Sequence, residues 1–109
     1  MTTSLPTIIS AYFAAAEAGE TTALVECFTE DAEVVDESET RHGHAGIRRW
    51  RDEVASKYEY ELRVLDGHAA DELQWTVSTR LEGNFPGGVA DLDFRFALRE
   101  GLISRLEIV

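Results

Sequence analysis

Leu73-Gln74-Trp75-Thr76-Val77-Ser78-Thr79-Arg80-Leu81-Glu82 alternates apolar and polar residues almost without a break. Side chains of an extended strand point to opposite faces in turn, so this stretch predicts a strand with one buried and one wet face. Leu62 and Val64 before it repeat the pattern, as do Leu92-Phe94-Phe96-Leu98 and the run from Leu102 to Val109 after it. Asn84-Phe85-Pro86-Gly87-Gly88 and Arg99-Glu100-Gly101 read as turns between these runs. Consecutive antiparallel hairpins are therefore expected in the C-terminal half.

The N-terminal half has a helical period instead. Residues 4–18 read as a helix with Ser4 as N-cap and Pro6 near its first turn. Leu5, Ile8, Ile9, Tyr12, Phe13 and Ala16 share one face, and Gly19 ends the helix. A short second helix, about residues 21–28, turns Leu24, Val25 and Phe28 inward. Asp31 then opens a strand, Ala32-Glu33-Val34-Val35, that ends at Asp36. A third helix spans residues 43–57, with Ile47, Trp50, Val54 and Tyr58 inward and Arg48, Arg49, Arg51, Asp52 and Glu53 on the other face. Helices first and antiparallel strands after them make an α+β fold. The economical packing is a cone: a curved, mostly antiparallel sheet wrapped around about three N-terminal helices. A pocket can persist between the sheet and helices one and three, with Asp36 at its rim.

A length of 109 residues supports one core, so residues 1–109 are expected to form a single domain. A hydrophobic fraction of 44% fits a globular chain, not a disordered one. Ten Lys and Arg against 21 Asp and Glu give a net charge of −11, a field that repels phosphate backbones and anionic lipid. Neither nucleic acid nor a membrane is therefore an expected partner. Cys27 is the only cysteine, which leaves no internal disulfide and points to the cytoplasm; within Leu24-Val25-Glu26-Cys27-Phe28 it reads as an inert buried thiol. No apolar run approaches the roughly 20 residues that span a bilayer, and no Lys or Arg precedes Arg41 to open a signal peptide.

Four stretches, in order, resemble the nuclear transport factor 2-like superfamily in its SnoaL-like and ketosteroid isomerase-like branches. Tyr12-Phe13-Ala14-Ala15-Ala16-Glu17-Ala18-Gly19-Glu20 is similar to the first helix of that group. Phe28-Thr29-Glu30-Asp31-Ala32-Glu33-Val34-Val35-Asp36 resembles its strand ending in aspartate, and Arg41-His42-Gly43-His44-Ala45-Gly46-Ile47-Arg48 its entry to helix three. Phe94-Arg95-Phe96 is similar to a late-strand triplet. The resemblance covers nearly the whole chain. It implies the cone fold, a homodimer and a pocket for a small apolar ligand. In ketosteroid isomerases the aspartate at the position of Asp36 shuttles a proton beside a carbonyl. The tyrosine at the position of Tyr12 donates a hydrogen bond to the developing enolate. Leu92 stands where those enzymes hold a second acid, and alternation turns Asp91 and Asp93 to the opposite face.

Each candidate has two readings. Asp36 is a working base, its carboxylate made more basic by an apolar pocket, or a cap before helix three. The Tyr12 hydroxyl is an oxyanion donor or is satisfied by a backbone carbonyl. Trp50, Trp75, Leu92, Phe94 and Phe13 wall the pocket, or the aromatic residues are plain core. His42 and His44 form an H-x-H pair with no third spaced ligand and read as surface residues, so no metal is expected. Absence of a nucleotide loop, nucleophile elbow or zinc helix leaves no cofactor implied. Arg80, Arg95, Asp91 and Asp93 read as a charge ladder on the outer sheet face, at a dimer contact. Two functions follow as expectations. One is proton transfer on a small apolar carbonyl compound, of isomerase or cyclase type. The other is a non-catalytic binding or dimerisation module.

Overall fold

Pro6 sets the start of the first helix: its carbonyl accepts hydrogen bonds from the Ile9 and Ser10 amides, and helix α1 (Thr7–Ala18) follows. The computed structural model describes residues 5–109, so the expected cap Ser4 lies outside the described residues. Gly19 closes α1 in the left-handed conformation (φ 71°), where a side chain would be strained; its amide reaches Ala16 O and the Glu20 amide reaches Ala15 O. Helix α2 (Thr21–Glu26) is two residues shorter than expected, because Phe28 already belongs to strand β1 (Phe28–Asp36). Then come β2 (Glu39–His42), α3 (Gly43–Lys57), β3 (Tyr60–Asp71), β4 (Gln74–Gly83), β5 (Val89–Arg99) and β6 (Leu102–Ile108).

The six strands form one curved sheet in the order β2-β1-β6-β5-β4-β3. All neighbours are antiparallel except β1 and β6, which run parallel. The α+β cone expected from the alternation is present. Two features were not foreseen: strand β2 and the parallel pairing of β1 with β6. Glu37 and Ser38 join β1 to β2, both left-handed (φ 52° and 65°), which matches the twist of a two-residue hairpin.

Alternation decides what faces the helices. On β1, Ala32 and Val34 are fully buried, and Asp36 continues the same parity. On the paired β4 and β5, Val77 faces Phe94, Thr79 faces Leu92 and Leu81 faces Ala90, all on the inner surface. Asp91, Asp93 and Arg95 have the opposite parity. Arg80 donates to Asp91 at 2.8 Å and Arg95 lies 3.5 Å from Glu107, so the outer face carries cross-strand ion pairs. A bulge at Ser104, whose hydroxyl donates to Ala97 O, lets Ile103 and Leu106 both turn inward although they are three residues apart.

The core gathers Ile9, Leu24, Phe28, Val34, Ile47, Val77, Ile103 and Leu106, each at most 1% exposed. Such side chains contribute roughly 1.5–3 kcal/mol each on burial. Helix α3 packs across β1, and α2 bridges α1 to α3. Among the described residues no helix is long and apolar enough to cross a membrane.

Candidate functional site

The inward parity of Asp36 brings its carboxylate to a cavity of about 450 Å³ between the sheet and α3. Trp50, on the inner face of α3, donates its indole N–H to Asp36 Oδ2 at 3.0 Å. Leu92 and Phe94 of β5 form the floor; Leu81, Ala90, Val54 and Ile108 complete the apolar wall. The size and the apolar character suit a small organic molecule.

The mouth is built by the β4–β5 connection, residues 84–88, which carries Phe85 and Pro86 over the cavity. Asn84 staples it to the end of α3: the Glu59 amide donates to Asn84 Oδ1 at 3.0 Å, and the Asn84 amide donates to Glu59 O at 3.1 Å. Gly83 permits this close approach, since a Cβ there would stand 2.3 Å from Glu59 O. Phe85 meets Tyr58 edge to face, with centroids 6.2 Å apart.

Sequence reasoning missed Arg51. Its polarity predicts the solvent face of the third helix, yet Arg51 lines the cavity and is half-buried, its guanidinium 5.1 Å from the Trp50 ring centroid. Burial works against its charge, but the Tyr12 and Tyr60 phenols and the Asp36 carboxylate more than offset this and hold its pKa above the ordinary arginine value. Tyr60, also unforeseen, lines the cavity beside it. The missed signal is positional. Residue 51 lies on the shoulder of the stripe formed by Trp50, Val54 and Tyr58, where a long side chain can curl toward the groove.

Of the expected site residues, Asp36, Trp50, Leu92 and Phe94 meet at this cavity. Tyr12 stands behind it and is not part of the lining. It is 1% exposed, its ring packed edge-on to Phe13, Phe28 and Phe96. Its phenol still lies within electrostatic reach of Arg51, Tyr60 and Asp36; burial pushes its pKa well up, against the pull of Arg51. Two of the expected wall residues stand away from this lining. Phe13 packs on Phe94 and Phe96 in the aromatic cluster, with centroids 5.4 and 5.8 Å away, and does not line the cavity. Trp75 has the inward parity but pairs with Phe96, six residues along β4 from Leu81. That is about 20 Å of strand. It borders a separate hollow of about 250 Å³ with Thr76, Arg95 and Arg105.

Neither Asp91 nor Asp93 lines the cavity. His44 donates Nε2–H to Phe28 O at 2.9 Å, and the exposed His42 lies 3.7 Å from Glu33. Among the described residues no three His, Cys, Asp or Glu side chains converge as a metal site requires. Cys27 is buried, and that burial, with Glu26 beside it, raises its thiol pKa. Chemically, the cavity joins an apolar wall to a polar one: Asp36, Glu37 and Glu53 bring carboxylates, Arg41 and Arg51 guanidinium groups, Lys57 an ammonium, and Tyr58 and Tyr60 phenols, with Arg41 already paired to Glu53 at 2.7 Å.

Residues 9–106 match the SnoaL-like domain family. A candidate polyketide cyclase of Sinorhizobium meliloti is 34% identical, with a TM-score of 0.92 over 96% of this chain and 95% of that one. A protein of ketosteroid isomerase-like fold from Catenulispora acidiphila, solved with trimethylamine, is 19% identical, with a TM-score of 0.86 over 97% and 86% of the two chains. An epoxide hydrolase/cyclase-like enzyme of pyran ring formation in salinomycin is 23% identical, with a TM-score of 0.80 over 93% and 85%. The last two share the fold. No curated protein matches the sequence.

Proposed function

Since the chain belongs to the SnoaL-like domain family of the nuclear transport factor 2-like superfamily, we propose that it binds a small, largely apolar carbonyl compound and transfers a proton on it, in an isomerase- or cyclase-type reaction. Asp36 acts as the base. It takes a proton from a carbon beside the carbonyl and returns it elsewhere on the same skeleton. The enolate oxygen receives a hydrogen bond from a phenol: Tyr60 lines the cavity and meets the ligand, while Tyr12, the donor that the resemblance implies, stands behind the lining. Burial keeps the Tyr12 phenol protonated at neutral pH, so it stays a donor.

One observation carries this reading: Asp36 and Arg51 line the same apolar cavity, with Trp50 hydrogen-bonded to the acid and lying against the cation. Opposed charges in a cavity that partly excludes water are suited to moving a proton and meeting the charge that develops. The similarity to a candidate polyketide cyclase at 34% identity supports a carbonyl-rich substrate.

A second reading, ligand binding without turnover, is favoured by Leu92 standing in the lining where ketosteroid isomerases hold a second acid, with neither Asp91 nor Asp93 there. The same proposal takes residues 1–109 as one domain, a homodimer through the outer sheet face, and a cytoplasmic location. The test is nuclear magnetic resonance of apolar ketones and β-keto esters with the protein in deuterated water. Exchange of the protons beside the carbonyl above the buffer rate supports proton transfer. Line broadening without exchange supports the second reading, and neither effect overturns both.

A further inference from the structure

Five of the nine arginines lie within ion-pair distance of an acid. Arg41 lies 2.7 Å from Glu53, Arg80 2.8 Å from Asp91, Arg95 3.5 Å from Glu107 and Arg105 4.0 Å from Glu33, while Arg99 pairs with Asp31. Four of these pairs are at the surface and Arg41–Glu53 lies on the cavity lining, while Arg48, Arg49 and Arg63, without an acid partner among the described residues, are exposed. Arg51 is the reverse case: it is half-buried in the cavity, and among the described residues no carboxylate lies within ion-pair distance of it. With 21 acidic residues to 10 basic ones, an acid for this arginine would not be hard to supply.

Its neighbours do not use up its hydrogen-bonding capacity. A guanidinium presents five N–H donors in a planar fork that matches a carboxylate. Trp50 offers Arg51 only a ring face, and the Tyr60 phenol beside it can take up only part of the fork. Asp36, the acid of the same cavity, has Oδ2 engaged by the Trp50 indole. Arg41, paired with Glu53, and Lys57, exposed further along α3, bring two more positive charges to the lining. The apolar wall is formed by Val54, Leu81, Leu92 and Phe94, and the Glu37 and Glu53 carboxylates also reach the lining, Glu53 held by Arg41.

We propose that the ligand is an amphiphilic organic anion whose carboxylate pairs with the Arg51 guanidinium while its apolar body lies against Leu81, Leu92 and Phe94. This rests on the cavity being the ligand site and narrows the substrate class: the carbonyl compound also carries a carboxylate. Arg51 then acts as a specificity residue, selecting acids over neutral compounds of the same shape. The net charge of −11 repels such a ligand at long range, so the local pair must supply the preference.

The test is calorimetric titration of the full chain with matched pairs at neutral pH: decanoate against decanamide, and 2-naphthylacetate against 2-naphthylacetamide. We expect at least one acid to bind roughly tenfold or more tightly than its amide, as a charge-assisted bidentate pair would give. Arg51→Gln should bring that acid down to the affinity of the amide and leave the amide unchanged. Arg51→Lys, which keeps the charge and loses the fork, should fall between them and serves if the glutamine variant does not fold. Equal binding of acid and amide, or a preference for the amide, overturns the anion and leaves the cavity reading standing. Acid affinity that survives in Arg51→Gln also overturns it. Binding of none of the four compounds overturns both.

Discussion

The Trp50 indole N–H donates to Asp36 Oδ2 across 3.0 Å, linking α3 to the last residue of β1. The same ring lies 5.1 Å from the Arg51 guanidinium carbon, so one side chain orients the acid and supports the cation of the cavity. Trp50→Phe keeps most of the apolar contact but leaves Asp36 without its donor. We expect a loss of about 1–2 kcal/mol in stability, read by urea unfolding, together with weaker ligand binding. An unchanged midpoint would mean that the bond holds nothing in place.

Acid should weaken the fold through its surface pairs. Hydrogen bonds from Arg99, Arg41 and Arg80 hold Asp31, Glu53 and Asp91 below the ordinary carboxylate range. A depressed folded pKa means that the unfolded chain binds more protons in that range. The stabilisation is therefore present above the unfolded value of about 4 and is lost as pH falls through the folded one. The pairs are solvent-exposed, so the effect is small and screened by salt. Arg41→Gln should flatten the fall of Tm between about pH 5 and pH 3 at low salt. Parallel curves for wild type and variant would contradict this.

Tyr12 supplies an alkaline counterpart. Its raised pKa, caused by burial, means that the unfolded chain loses this proton before the folded one does. Stability is complete below the unfolded value of about 10 and declines as pH rises beyond it. Tyrosinate absorbance should therefore include a step that coincides with loss of the folded circular dichroism signal, and Tyr12→Phe should remove that step. Ionisation of Tyr12 in the folded protein would show the phenol to be open to water.

The hairpin between β1 and β2 holds strain. Glu37 and Ser38 are both left-handed without being glycine or asparagine. Ser38→Gly should stabilise the protein by about 0.5–1 kcal/mol, after allowing for the added freedom of the unfolded chain. Thermal unfolding measures it. A lower Tm would mean that the serine side chain makes a contact worth more than the backbone strain.

Most of the fold was legible from periodicity. The inward parity of Ala32, Val34 and Asp36 placed the acid, and the stripe Ile47, Trp50, Val54 fixed α3 to its observed bounds, Gly43–Lys57. Strand β2 escaped because Glu39-Thr40-Arg41-His42 is polar on both faces, and an edge strand needs no apolar side. The parallel pairing of β1 with β6 is a long-range contact, with Val34 opposite Leu106, that no local pattern encodes. Within the site, parity gave the face but not the position along the strand. Leu92 and Phe94 therefore fell at the cavity while Trp75, equally inward, fell at the far end of β4. Arg51 was assigned by polarity alone, and a guanidinium beside a tryptophan can turn inward with its stem packed.

The most direct measurement is the rate of deuterium exchange beside a carbonyl, catalysed by wild type and by Asp36→Asn, on whichever ligand the wild type exchanges. Asparagine can still accept the Trp50 N–H through its amide oxygen, so the variant should fold, with Tm within a few degrees of wild type. It cannot take a proton. We expect exchange to fall by roughly 10²–10⁴-fold with binding retained, the loss of one general base. A folded Asp36→Asn protein that exchanges at the wild-type rate would show that Asp36 is not the base.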